Sequence, residues 1–163
     1  MRQREQNILT ILEEVCDPEV PVLSILDLGI VRDVKFDEDQ VEIVITPTYS
    51  GCPAMDAISM DIRLKLVEHD YKNIKITHAL SPAWTTDWMS EKGKEKLKAY
   101  GIAPPNPKQV VCDTELFGRD EAIQCPLCNS YHTKMISRFG STACKALYQC
   151  EDCKEPFDYF KCH

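Results

Sequence analysis

QVEIVITPTYSGCPAMDAISMDIRLKLVEHDYKNIKITHAL, residues 40–80, changes its apolar period twice. QVEIVIT alternates apolar with polar residues, the period of a half-buried strand. From Pro53, the residues Met55, Ile58, Ile62 and Leu66 recur at steps of 3, 4 and 4, one stripe of a helix. NIKITHAL then returns to alternation and reads as a further strand. Upstream, IVRDVKF (30–36) is expected to pair with QVEIVIT as a hairpin around the acidic tip DED (37–39). Ile8, Ile11, Leu12 and Val15 share one face of a first helix, which DPEVP stops. Downstream, a last helix is predicted over Thr86–Tyr100, with Met89, Gly93 and Leu97 in line and Gly101 as its stop. The order α-β-β-α-β-α specifies an α+β fold, a small two-layer domain with a sheet covered by helices.

IAPPNPKQ (102–109) places three prolines in four positions, which neither a helix interior nor a central strand accepts. Cysteines are sparse before it and crowded after it. The expected organisation is a first domain over 1–103, a proline-containing linker over 104–120, and a small β-rich domain over 121–163. The chain shows no internal repeat and no low-complexity tract.

Hydrophobic residues make up 44% of the 163, a globular share. No apolar run approaches the roughly 18 residues a membrane span requires. MRQREQNILT lacks the apolar core of a secretory signal, so a cytoplasmic location is expected. A net charge of −7 argues against nucleic acid, whose binders gain affinity by neutralising phosphates. Nine cysteines, an odd number, with five between residues 125 and 153, suit a metal site better than a disulfide framework.

CPLC (125–128) and CEDC (150–153) are two CxxC pairs separated by 21 residues. Each pair on a tight turn grips one edge of a tetrahedral ion, so Cys125, Cys128, Cys150 and Cys153 are the expected ligands. TKMISRFG and KALYQC between them have strand character, which makes the unit a zinc ribbon. Zinc suits a structural four-thiolate site, although iron takes the same ligands. A tail of about 55 residues buries little surface alone, and metal binding would stabilise it. Cys144, Cys162, His132 and His163 lie close in sequence; they either substitute for a ligand, form a second site, or are ordinary buried or solvated side chains.

Cys52 sits between Gly51 and Pro53 at the strand-to-helix junction. With Pro53 as the first helical residue, Cys52 is the expected N-cap, where free N–H groups favour a thiolate. Thr46, Thr48 and Ser50 add hydroxyls nearby. The competing reading is an inert buried thiol. Asp17, Glu19 and Asp27 are candidate ligands or simple turn residues. His78, and Trp84 with Trp88, read as structural, and Cys112 has no assigned role.

DPEVPVLSILDLGIVRDV followed by ITPTYSGCPAM resembles the MIP18-like family, also called DUF59, small α+β proteins linked to iron–sulfur cluster assembly. The whole chain, through SPAWTTDWMSEKGKEKLKAYGIAPP and the cysteine-rich tail, is similar to the branch that supplies the D component of bacterial phenylacetyl-CoA epoxidases of aerobic phenylacetate catabolism. The resemblance implies an accessory, non-catalytic subunit that assists assembly or repair of an iron–sulfur or di-iron cofactor. It implies that Cys52 is the reactive thiol or transient iron or cluster site, with Asp17, Glu19 and Asp27 at the family's acidic positions. The implied partners are the other epoxidase subunits, especially the reductase and the di-iron oxygenase, with no nucleic acid and no membrane; a homodimer sharing one cluster between two Cys52 thiols is a further option. Two alternatives stay open, a structural scaffold of the complex and a thiol-based enzyme using Cys52, for which His78 and His69 are the only bases in the first domain.

Overall fold

A computed structural model describes residues 2–105 and 122–161. The chain divides into two compact units, 1–93 and 94–163. The expected linker, 104–120, falls largely on 106–121, outside the described residues.

In the first unit, α1 (Arg2–Leu12) is followed by the hairpin strands β1 (Val31–Asp37) and β2 (Gln40–Ile45), then α2 (Ala54–Glu68) and β3 (Asn73–His78). The sheet order is β1-β2-β3. The hairpin is antiparallel, while β2 and β3 run parallel with Val41 opposite Ile74 and Ile43 opposite Ile76. A parallel pair needs a crossover, and α2 supplies it. The core is the one the apolar periods specify: Ile8, Leu12 and Val15 from α1 and the turn after it; Val41, Ile43 and Ile45 from β2; Ile58, Ile62 and Leu66 from α2. Each such side chain contributes about 1.5–3 kcal/mol by leaving water.

Between α1 and β1 the chain makes turns rather than a regular element. Ser24 and Asp27 exchange bonds in the manner of a capping box: the Asp27 N–H donates to Ser24 Oγ at 3.0 Å and the Ser24 N–H reaches Asp27 Oδ2 at 3.4 Å. Gly29 follows at φ +70°, and a Cβ there would lie 2.0 Å from the Trp88 carbonyl oxygen, so only glycine fits.

The helix expected over 86–100 is broken. A 3-10 turn covers Thr86–Trp88, Met89 is extended, and α3 runs Glu91–Ala99. Ser90 causes the break, because its Oγ accepts the Gly93 N–H at 2.9 Å and starts a new helix. Gly101 at φ +87° lies just past the end of α3, where a left-handed residue closes a helix.

The second sheet has order β4-β7-β6-β5. Its strands are β4 (Ile102–Ala103), β5 (Thr133–Ser137), β6 (Lys145–Cys150) and β7 (Pro156–Phe160). β5 and β6 answer to the two segments with strand character; β4 and β7 lie beyond what those segments foretold. Ala103, Ile123, Ala146, Tyr148, Phe157 and Tyr159 form its core, with Tyr148 packed on both Phe157 and Tyr159.

Candidate metal centre and strand-end thiol

The second unit gathers its ligands by repeating a short turn. QCPLCNS (124–130) and QCEDCKE (149–155) fold alike, a seven-residue repeat where the sequence reading had none. In each, the first cysteine's N–H donates five residues ahead, Cys125 to the Ser130 carbonyl at 2.8 Å and Cys150 to the Glu155 carbonyl at 3.0 Å. Each preceding glutamine closes its own loop, Gln124 onto the Asn129 carbonyl at 3.1 Å and Gln149 onto the Lys154 carbonyl at 3.2 Å. The residue after each second cysteine is left-handed, Asn129 at φ 63° and Lys154 at φ 66°. The doublet Gln-Cys was the signal available in the sequence.

These turns bring the Sγ atoms of Cys125, Cys128, Cys150 and Cys153 within 4.8 Å of one another. Cys125 and Cys153 are 3.8 Å apart, Cys128 and Cys150 3.5 Å. A tetrahedral ion with metal–sulfur bonds of ~2.3 Å has sulfur–sulfur edges of about 3.8 Å, so the donor set fits a four-thiolate ion. Electrostatics agree. The Cys153 N–H, opposed by burial and aided by the Asp152 N–H, holds the Cys150 thiol down at about 7. Cys153 receives the Glu155 N–H, yet burial and the sulfurs of Cys150, Cys128 and Cys125 push it up to about 12. Four thiols packed this closely cannot all ionise unless a cation sits among them.

Ser130, His132 and Asp152 brace the two turns together. The Ser130 hydroxyl donates to Asp152 Oδ2, and His132 Nδ1 lies 3.4 Å from Asp152 Oδ1. His132 is thereby outside the quartet. Cys144 is also outside it, buried with Thr142 Oγ1 at 3.0 Å from its sulfur. Cys112, Cys162 and His163 lie outside the described residues.

In the first unit the parallel pairing puts the C-terminal ends of β2 and β3 beside the start of α2, with Ile45 opposite His78. In sheets of this kind, ligand sites occupy that end. Cys52 lies there, half-buried, its N–H 3.3 Å from the Tyr49 carbonyl. α2 begins one residue later than expected: Pro53 is the N-cap, makes no side-chain bond, and leaves Cys52 just outside the helix. Gly51, the residue before Cys52, has φ +79° and open space where a side chain would stand. Thr46, at the end of β2, is buried with no protein hydrogen-bond partner for Oγ1 among the described residues.

The acidic candidates are spread out. Asp17 Oδ1 accepts the N–H groups of Glu19 and Val20 at 2.7 and 3.0 Å, ordering the DPEV turn. Asp27 is buried, and its Oδ1 accepts the Ser90 hydroxyl at 2.9 Å, tying its turn to the residue that caps α3. Among the described residues the ribbon cysteines form the one cluster of three or more metal-ligating side chains; Cys52, Asp17, Glu19 and Asp27 do not form another. His78 Nε2 pairs with Ser59 Oγ at 3.1 Å. Trp84 donates to the Leu28 carbonyl at 2.8 Å, and Arg32 stacks over Trp88. No described helix is long and apolar enough to cross a membrane.

Residues 110–161 match the family described as PaaD zinc beta ribbon domain, and residues 5–73 match that described as iron-sulfur cluster assembly protein. The chain is 47% identical over 155 residues to the D component of the 1,2-phenylacetyl-CoA epoxidase of Escherichia coli (strain K12), covering 95% of this chain and 91% of that relative. It is 37% identical over 97 residues to the Fe-S protein maturation auxiliary factor of Porphyromonas gingivalis (strain ATCC BAA-308 / W83), covering 58% of this chain and 91% of that one. The solved DUF59 domain from Bacillus anthracis superposes with a TM-score of 0.56 at 31% identity, covering 59% of this chain and 92% of the domain. A DUF59-type unit carrying a strand-end cysteine, continued by a four-cysteine ribbon of the PaaD type, places this chain in the family of D components of 1,2-phenylacetyl-CoA epoxidases.

Proposed function

We propose that this protein is an accessory subunit of a cytoplasmic phenylacetyl-CoA epoxidase, and that it assists assembly or repair of an iron-containing cofactor in that complex. Cys52 is the working thiol: it holds iron or a cluster transiently and passes it to the reductase or the di-iron oxygenase. The ribbon quartet holds zinc for shape. The observation that carries this reading is the contrast in coordination. Four sulfurs within 4.8 Å close a site on themselves, whereas Cys52 lies half-buried beside open space at Gly51, with no ligand cluster around it among the described residues. A closed four-thiolate site gives up metal slowly, and a donor of metal needs the open one. The names of the relatives, an epoxidase subunit and a maturation factor for Fe-S proteins, support the accessory role in cofactor assembly.

The test is metal analysis of anaerobically purified protein, wild type beside Cys52→Ser, with epoxidation measured in cells holding all other subunits. The expected result is zinc unchanged near one per chain, iron lost in the variant, and epoxidation reduced. Full epoxidation in the variant would leave a scaffold role for this chain. Turnover of a small molecule by purified wild type without iron would favour a thiol enzyme.

A further inference from the structure

We infer that the outer face of α2 docks an amphipathic helix of another protein, one with an apolar seam and basic flanks. α2 is apolar on two sides. Met55, Ile58, Ile62 and Leu66 face the core, all buried. Met60, Leu64 and Val67 are 64%, 56% and 57% exposed. At 100° per residue these three lie roughly opposite the buried stripe, with Ala57 continuing their line. Steps of 3, 4 and 3 from Ala57 to Val67 are the a/d spacing that seats a second helix. A surface helix with one core normally carries polar residues there.

The charges around this seam choose the occupant. Asp61 flanks it on one side and Asp56 on the other, Asp70 stands just past its end, and Glu68, on the same side as Asp61, is already paired with Lys65 at 3.3 Å. The cations of the same helix are committed elsewhere: Arg63 donates to the Ile74 carbonyl at 3.0 Å, and Lys65 bridges Glu14 and Glu68 at 3.1 and 3.3 Å. A second copy fits less well, since an antiparallel pairing sets Asp61 against Glu68, and a parallel one sets Asp56 against Asp61 with only Arg63 opposite Glu68 to offset it. A partner helix with leucine-type residues along its seam and Lys or Arg beside them satisfies both the apolar and the charged parts. The inference stands independently of what Cys52 does.

The probe is a 21-residue helical peptide with Leu at seam positions and Lys at flanking ones, fluorescently labelled, beside a second peptide with Glu in place of Lys. Both are titrated with the full chain. Binding of the Lys peptide, falling with added salt, with affinity at least about tenfold weaker for the Glu peptide and for Leu64→Asp and Met60→Glu variants, is the expected result. Both substitutions are at exposed positions, and unchanged circular dichroism shows the variants folded. Equal binding of both peptides, binding by neither, or binding that survives both substitutions overturns the inference. So does a wild-type dimer in sedimentation that Leu64→Asp converts to monomer, which would assign the seam to a second copy.

Discussion

The two units use sulfur in opposite ways. In the ribbon, two copies of one turn point four thiols at a common centre. The N–H groups of Cys153 and Asp152 hold the Cys150 thiol down to about 7, while Cys153, despite the Glu155 N–H, is pushed up to about 12 by burial and the crowding of the sulfurs. In the DUF59-type unit, Cys52 stands in the loop just before α2, in no ligand cluster among the described residues, with a glycine's vacant side-chain space next to it. The ribbon's quartet gathers four sulfurs that an ion would hold together. The core of the first unit is hydrocarbon from α1, β2 and α2, and Cys52 is not among its buried residues.

The largest test of this contrast removes the ion. Metal binding in small zinc modules is worth about 10–16 kcal/mol, so chelation, or Cys150→Ser, is expected to abolish the ribbon's dispersed amide NMR signals while those of residues 5–80 persist. Ribbon signals surviving chelation would show that the aromatic core around Tyr148 suffices, and the contrast would collapse. Next in size is Ile62→Ala, which empties fully buried volume beneath the sheet and should cost about 2–5 kcal/mol, read as a lower denaturant midpoint for the first unit alone. Cys52→Ala, followed in the same way, should shift that midpoint little. A shift as large as that of Ile62→Ala would mean that the strand-end thiol is a packing residue.

The smallest effect concerns the brace between the turns. The Ser130 hydroxyl, and then His132, hold the Asp152 carboxyl below its ordinary range. A carboxyl depressed in the folded state stabilises fully above its unfolded pKa and loses that contribution as pH falls through the folded one. Asp152→Asn should therefore lower the ribbon's Tm slightly at neutral pH, with the difference from wild type vanishing in acid below the carboxylate range. A difference that stays constant down to acid pH would assign the effect to lost shape instead of lost charge.

Much of this was legible in the residues. The stripe of α2 appears in the sequence at the positions that the fold buries, because a helix period of 3.6 leaves little choice of face. The CxxC pairs announced a four-sulfur cluster because two such pairs on tight turns can close a tetrahedron. The features that periodicity does not carry depend on single hydrogen bonds or on distant pairing. Ser90 divides one predicted helix into a 3-10 turn and α3 through one capping bond, and propensity over a long window averages such a bond away. β4 is two residues long and gains its identity from pairing with β7, Ile102 opposite Asp158 and Ala103 opposite Tyr159. The start of α2 at Ala54 in place of Pro53 moves Cys52 from cap to loop, a difference of one residue that matters because N–H geometry changes over that distance. The exposed seam of α2 is also written in the residues, since Met60, Leu64 and Val67 are apolar at helical spacing, but the buried stripe is enough by itself to explain a helix there.

The parallel register of β2 with β3 also bears on how the first unit is made. Gln40 and Asn73 are side-chain partners across 33 positions, whereas the β1–β2 hairpin turns within three residues at its tip. Local hairpins close in about 1–10 μs, and longer loops pay more entropy before any contact rewards them. The third strand should therefore dock last, after α2 has formed, and the rim that carries Cys52 should be the final part of this unit to exist. Pulse-labelled hydrogen exchange during refolding, with the Ile76 amide protected before that of Val41, would reverse that order.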